Sequence, residues 1–119
     1  MWAAMHNRPL TIYGNGTDTR DYVFVDDVVT HLLRAEPSFT PDEVGTGLTT
    51  SSDELLELIR GLTGSKSEVL RAHPRRWDHH GRPAVTSRRS CTVLSDGLRA
   101  TYEWFQANYD RIAETVAQS

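Results

Sequence analysis

Four consecutive residues, Tyr22-Val23-Phe24-Val25, constrain the fold of this chain more than any other feature. All four are β-branched or aromatic, which reads as a strand. Nothing in the run alternates with polar residues, so such a strand is expected to be covered on both faces. The chain has 119 residues, enough for one domain and too few for two of ordinary size. The cover must therefore come from a few nearby elements. Leu10-Thr11-Ile12-Tyr13 is a second short, β-prone run, and it stops at the turn signal Gly14-Asn15-Gly16. Asp26-Asp27 sit where a helix would begin, with Val28, Val29, Leu32 and Leu33 recurring at helical spacing. Pro37 and Pro41 stop that helix and open a loop.

The clearest element follows the glycine-rich passage Glu43-Val44-Gly45-Thr46-Gly47, which fits neither a Walker motif nor a dinucleotide fingerprint. Ser51 and Glu54 have the spacing of a capping box. Leu55, Leu56, Leu58, Ile59 and Leu62 form the expected buried stripe, and Gly64 supplies a stop. Glu68-Val69-Leu70 reads as a short strand. Residues 72–89 show no period of either kind and read as a long loop, a length usually functional or disordered. A last helix restarts at Ser95-Asp96, with Leu98, Thr101, Tyr102 and Phe105 on one face and Trp104 beside it. A mildly amphipathic tail runs from Tyr109 through Ile112 and Val116. The order is strand, strand, helix, helix, short strand, loop, helix: a small α/β fold in two layers. Three tryptophans and two strands with no polar face point to missing neighbours.

Hydrophobic residues are 38% and charged residues 24%, which excludes a wholly apolar membrane protein and gives no support to wholesale disorder. No run reaches transmembrane length, and the N-terminus lacks the basic and apolar regions of a signal peptide. The single cysteine, Cys91, rules out an intrachain disulfide framework and fits a reducing, cytoplasmic setting. Net charge is −3, with the basic residues gathered late in the chain. Six Arg and three His fall between Arg71 and Arg89, with Asp78 the lone acid. Lys66 is the only lysine. Arginine offers a rigid fork suited to phosphate or carboxylate, while a bias toward arginine codons would give the same count.

Arg20 lies between a turn-prone segment and the run Tyr22–Val25. There it either aims a fork at a site near the sheet edge or stands solvated beside Asp18 or Asp21. Arg75, Arg76 and Arg82, with His73, His79 and His80, form a cluster. Adjacent histidines point apart and one cysteine adds little, so no metal site is expected. Nucleic acid is not expected either, because the chain is acidic and only Trp77 interleaves with the arginines. A phosphate or diphosphate held by two or three of these arginines competes with a plain solvated loop. Asp26-Asp27 most simply serve a helix start. No catalytic residue is evident.

The stretch Pro9-Leu10-Thr11-Ile12-Tyr13-Gly14-Asn15-Gly16-Thr17-Asp18-Thr19-Arg20-Asp21-Tyr22-Val23-Phe24-Val25-Asp26-Asp27-Val28 resembles a signature of the extended short-chain dehydrogenase/reductase superfamily. More narrowly, it is similar to the NAD-dependent epimerase/dehydratase family that works on nucleotide sugars, including UDP-glucose 4-epimerase-like members. Val44–Gly47, Ser52–Ile59 and Leu94–Phe105 resemble that family's next glycine turn, the helix behind it and the closing helix, in that order.

The resemblance implies that residues 1–119 are the C-terminal, substrate-binding part of a larger Rossmann-type enzyme, without its N-terminal cofactor domain, with 72–92 a divergent arginine-rich loop. It implies NAD for full-length relatives and no cofactor site in this chain. The family's Tyr-x-x-x-Lys base is absent: Tyr13, Tyr22, Tyr102 and Tyr109 are each followed four residues on by something other than Lys. The expectation is thus a partial nucleotide-sugar epimerase or dehydratase that is not catalytic alone, the alternative being a small anion-binding or interaction module. Arg20 matches the arginine of a Thr-Arg-Asp segment that contacts the nucleotide diphosphate of a UDP- or dTDP-sugar. One of Arg75 and Arg76 falls where the family has a second diphosphate arginine in Arg-Pro-Gly-Asp; here the passage reads Arg75-Arg76-Trp77-Asp78, without Pro-Gly. Asp78 falls at the acid that meets the ribose hydroxyls, and Arg82 joins the same side. Exposed faces imply marginal stability and self-association.

Overall fold

The computed structural model describes residues 1–34, 43–78, 81–83 and 90–117. Helix α1 (Trp2–Met5) opens the chain, followed by β1 (Leu10–Tyr13), β2 (Thr19–Arg20), α2 (Val25–Leu33), β3 (Thr50–Ser51) and α3 (Ser52–Thr63). Strand β4 (Val69–Ala72) and helices α4 (Leu94–Ala107) and α5 (Tyr109–Ala117) complete it. The loop assigned to Pro37 and Pro41 lies outside the described residues.

Strands β1 and β4 pair in parallel, from Leu10 opposite Val69 to Tyr13 opposite Ala72. Parallel neighbours cannot be joined by a hairpin, and β2, α2, β3 and α3 all lie in the crossover between them. Strands β2 and β3 form a separate antiparallel pair, Thr19 opposite Ser51 and Arg20 opposite Thr50. The parallel pair corrects the expected fold class. A substrate-binding lobe alone would hold nothing of the cofactor domain, whereas this chain contains a Rossmann-type parallel β–α–β element. Residue composition identifies a strand but not its partner. The pairing of residue 10 with residue 69 is a long-range fact that local pattern does not carry.

The strand expected at Tyr22–Val25 does not form. Residues 21–24 have no ladder partner, and Val25 is already the first residue of α2, 62% exposed. The Asp21 carboxylate explains the diversion. It accepts the Thr46 N–H at 3.0 Å, the Thr46 hydroxyl at 2.7 Å and the Gly47 N–H at 3.0 Å, tying the chain sideways to the 45–47 turn. The apolar side chains of 22–24 then lie against α3 and α4 rather than in a sheet. Phe24 reaches α4 where Gly97 is buried; a Cβ there would stand 3.3 Å from the Phe24 ring. Strand preference is mostly a preference for a half-buried pleated surface, and a packed irregular segment satisfies the same side chains.

Helix α3 forms as its sequence dictates. Ser51 Oγ accepts the Glu54 N–H at 3.2 Å while Glu54 Oε2 accepts the Ser51 N–H at 2.7 Å. Those bonds hold the Glu54 carboxyl below its usual range, the Ser51 backbone N–H contributing most. Gly64 closes the helix at φ 65°, the left-handed conformation that glycine adopts without strain. Leu56 is buried, but Leu58, expected in the stripe, is 40% exposed. Helix α3 packs on α1 and α4. Helix α2 carries its apolar residues at the expected spacing and buries none of them. Among the described residues the buried apolar side chains are Ala4 and Leu56 alone.

Candidate anion-binding site

The parallel register places the site. Strands β1 and β4 leave the sheet at the same end, where the Gly14 N–H donates to the Ala72 carbonyl at 2.9 Å. In open α/β sheets ligands bind outside the carboxyl ends of parallel strands. Beyond β1 the chain turns into β2 and Arg20; beyond β4 it turns through Arg75–Asp78, whose ends close with the Asp78 N–H on the Arg75 carbonyl at 3.0 Å. Two segments more than fifty residues apart thus meet at one sheet end.

The turn is held by charge as well as backbone. Arg75 Nη2 lies 2.9 Å and Nε 3.1 Å from Asp78 Oδ1, and the Arg75 N–H donates to Oδ2 at 2.7 Å. The Asp78 side chain is only 7% exposed. Its carboxyl is held below the usual carboxylate range, first by the Arg75 side chain, then by the Arg75 N–H, with the Arg20 charge adding. Arg75 is correspondingly raised, mainly by the Asp78 hydrogen bonds. Its guanidinium carbon sits 4.5 Å from the centroid of the Tyr13 ring and 6.0 Å from that of Trp77.

Arg20 Nη1 donates to the Thr19 carbonyl at 2.8 Å. The same carbonyl accepts the Gly81 N–H at 2.7 Å, and Thr19 Oγ1 donates to the Gly81 carbonyl at 3.1 Å, so residue 81 runs beside β2. A Cβ on Gly81 would be 2.7 Å from the Thr19 oxygen, so this close approach needs a glycine. Of the residues expected to meet, Arg20, Arg75 and Asp78 share one neighbourhood. Arg82 instead pairs with Glu43 through both guanidinium nitrogens. Arg76 is exposed at the turn corner and makes no ion pair among the described residues. His79 and His80 lie outside the described residues. Sequence reading missed Tyr13, which seats Arg75, and Asp21, which fixes the segment next to Arg20. Alternation along β1 could have flagged Tyr13, which is exposed beside buried-facing Ile12; no local signal marks Asp21.

The turn that follows β1 does not suit a dinucleotide. Gly16 faces Asp53: a Cβ at Gly16 would lie 2.2 Å from its carboxylate, and the Asp53 N–H already donates to the Gly16 carbonyl at 3.0 Å. The first turn of α3 carries Asp53, paired with Arg71 Nη2 at 2.9 Å, and Glu54, so carboxylates already occupy the helix end beside this turn. No group of three metal-binding side chains occurs among the described residues, nor any helix long and apolar enough to cross a membrane. A cavity of about 330 Å³ opens between residues 22–25, α3 and α4, but no charged side chain lines it.

Residues 1–43 match the family model described as NAD dependent epimerase/dehydratase family. The chain is 36% identical over 115 residues to UDP-glucose 4-epimerase of Mycolicibacterium smegmatis, covering 87% of this chain and 36% of that protein. It is similar to the structure of UDP-glucose 4-epimerase from Thermotoga maritima with UDP-glucose, at a TM-score of 0.82 and 28% identity, over 90% of this chain and 38% of that one. It is also similar to WbmF of Bordetella bronchiseptica in complex with NAD+, at 0.79 and 31%, over 98% and 38%. The chain spans about a third of the length of the curated relatives it matches. The match over residues 1–43 starts at the first residue and runs through β1 and α2. It corrects the expectation of a C-terminal lobe alone: the chain resembles the NAD-dependent epimerase/dehydratase and short-chain dehydrogenase/reductase group through an element of the parallel cofactor-domain core.

Proposed function

We propose that this chain contributes the nucleotide-diphosphate contacts of an epimerase- or dehydratase-like enzyme acting on a UDP- or dTDP-sugar. The observation that carries the reading is the Arg75–Asp78 turn at the carboxyl end of the parallel strands, within electrostatic reach of Arg20. Two guanidiniums beside one carboxylate leave a net positive charge, which favours a further anion such as a diphosphate. In this reading Arg20 and the exposed Arg76 take the diphosphate, with Arg75 beside them; Asp78 meets the ribose and Arg82 a phosphate oxygen only by giving up their present partners, Arg75 and Glu43. Residues 1–119 act as one unit, with 72–92 as the loop that carries the ligand contacts. The single, exposed Cys91 fits a reducing, cytoplasmic compartment.

The hydride step of this family needs NAD and a Tyr-x-x-x-Lys base, and the sequence contains no such pair. The chain by itself is therefore expected to leave UDP-glucose and UDP-galactose unconverted when NAD is supplied. NAD-dependent turnover by the purified chain would overturn that expectation. The binding reading is tested by titrating UDP into the wild type and two variants, followed by NMR. Arg20→Ala should weaken UDP about tenfold, as expected for losing hydrogen bonds to a charged ligand. Arg111→Ala, on α5, should leave it unchanged. Equal binding by both variants sinks the assignment of Arg20.

A further inference from the structure

Two separate ladders carry the halves of the anion site: β1 pairs with β4, β2 pairs with β3, and no strand pairing joins the two among the described residues. Arg20 ends β2, while the Arg75–Asp78 turn follows β4. The segment leading to Arg20 is tied along its length to the start of α3. The Asp53 N–H donates to the Gly16 carbonyl at 3.0 Å and the Ser52 N–H to the Asp18 carbonyl at 2.9 Å. Thr19 then stands opposite Ser51 and Arg20 opposite Thr50. Residues 16–20 therefore go where the start of α3 goes. The Asp53 side chain reaches the other ladder, its Oδ1 lying 2.9 Å from Arg71 Nη2. Arg71 sits in β4 opposite Ile12, one residue before the Ala72 carbonyl that holds the Gly14 N–H.

The turn after β1 leaves room for that carboxylate. Gly16 has φ 84°, and a Cβ on it would stand 2.2 Å from the Asp53 carboxylate, so the acid occupies the space a side chain would fill. The Arg71 and Asp53 side chains are 48% and 41% exposed, and an ion pair this open adds little to stability. What it fixes is relative placement. A ligand-binding side chain must be held within about 0.5 Å of its working position, and Arg20 stands at the end of a strand only two residues long. We infer that the Arg71–Asp53 pair is a strut between the two ladders that sets where Arg20 stands relative to the Arg75–Asp78 turn. Both are positioning residues: they act through Arg20, and neither is assigned a ligand contact. The inference rests on the diphosphate reading above and adds to it the pair that holds its two halves in register.

The test titrates UDP into the whole chain by NMR at fixed ionic strength. Arg71→Met and Asp53→Asn change the net charge in opposite directions, so long-range attraction alone would weaken UDP in the first and strengthen it in the second. A strut requires both to weaken UDP alike, by about fivefold, and the double variant to lose no more than either. Arg71→Lys, which keeps the charge, should recover part of the loss. In an Arg20→Ala background Arg71→Met should cost nothing further. The melting temperatures of the single variants should stay within about 2 °C of the wild type, which a role in folding would not allow. Opposite signs, no change in either single variant, a melting temperature that falls in step with affinity, or a loss that persists without Arg20 overturns the strut. The diphosphate reading then still stands on the effect of Arg20→Ala alone. If Arg20→Ala binds UDP as the wild type does, or the wild type does not bind it, that reading falls and the strut with it.

Discussion

Asp27 shows how much one carboxylate does in a molecule with so small a core. It accepts the Ser90 hydroxyl, the Thr92 N–H at 3.0 Å and the Thr92 hydroxyl at 2.9 Å, and so pins the segment leading into α4 to the first turn of α2. These bonds hold its carboxyl below the usual range, the Ser90 hydroxyl contributing most and the Thr92 N–H next. A carboxyl with a depressed folded value contributes stability that is complete above its unfolded value of about 3.9 and is lost as pH falls through the folded value. Asp27→Ala should cost about 1–2 kcal/mol at pH 7, in line with hydrogen bonds to a charged acceptor. The variant should also lose less than the wild type between pH 5 and pH 3, because the group that titrates is gone. Urea unfolding at the two pH values checks this, and an equal loss in both proteins would show that Asp27 holds nothing. Asp78 obeys the same sign, so acid also loosens the Arg75 fork and the turn it closes.

Among the elements, α3 was legible in its bounds because what caps and stops it lies within fourteen residues, although of its expected buried stripe only Leu56 is buried and Leu58 is exposed. Its cap, its acidic first turn and its glycine stop are all local. Ser51→Ala removes the reciprocal cap and should cost about 1 kcal/mol, read as a lower Tm with the fold unchanged. An unaltered Tm would mean that packing on α1 and α4 fixes the helix without its cap. The parallel pairing of β1 with β4 was not legible, because register over fifty-nine residues depends on the whole crossover. Tyr22–Val25 was misread because a run of large β-prone side chains reports burial and not backbone pairing, and Asp21 settles the backbone elsewhere. The site divides in the same way. Arg20, Arg75 and Asp78 were reached through resemblance to a known family, and their meeting follows from a topology that spacing does not reveal. Tyr13 and Asp21 act through contacts across the fold: alternation along β1 marks Tyr13 as outward-facing but not what it meets, and nothing local shows that Asp21 binds the 46–47 backbone.

At the scale of the whole molecule, the governing fact is an apolar face without cover. On α2, Val25 is 62% exposed, Val29 45%, Leu32 68% and Leu33 83%, at the i, i+4, i+7, i+8 spacing of one stripe. Parallel sheets are ordinarily buried on both faces by helices, and a pair of four-residue strands leaves most of that interface unmade. Burying four such side chains would contribute about 1.5–3 kcal/mol each, roughly 6–12 kcal/mol in all. Association costs about 4–15 kcal/mol in lost freedom before any gain appears. The surplus is at most a few kcal/mol, so the chain should bind a hydrophobic dye strongly and self-associate only weakly, at about millimolar concentration. Sedimentation across a concentration series reads the equilibrium directly. Leu32→Glu with Leu33→Glu should abolish the association and most of the dye signal. Because neither leucine is buried in the monomer, the double variant should unfold at nearly the wild-type temperature. A wild type that stays monomeric and dye-free throughout would show that α2 finds its cover within this chain.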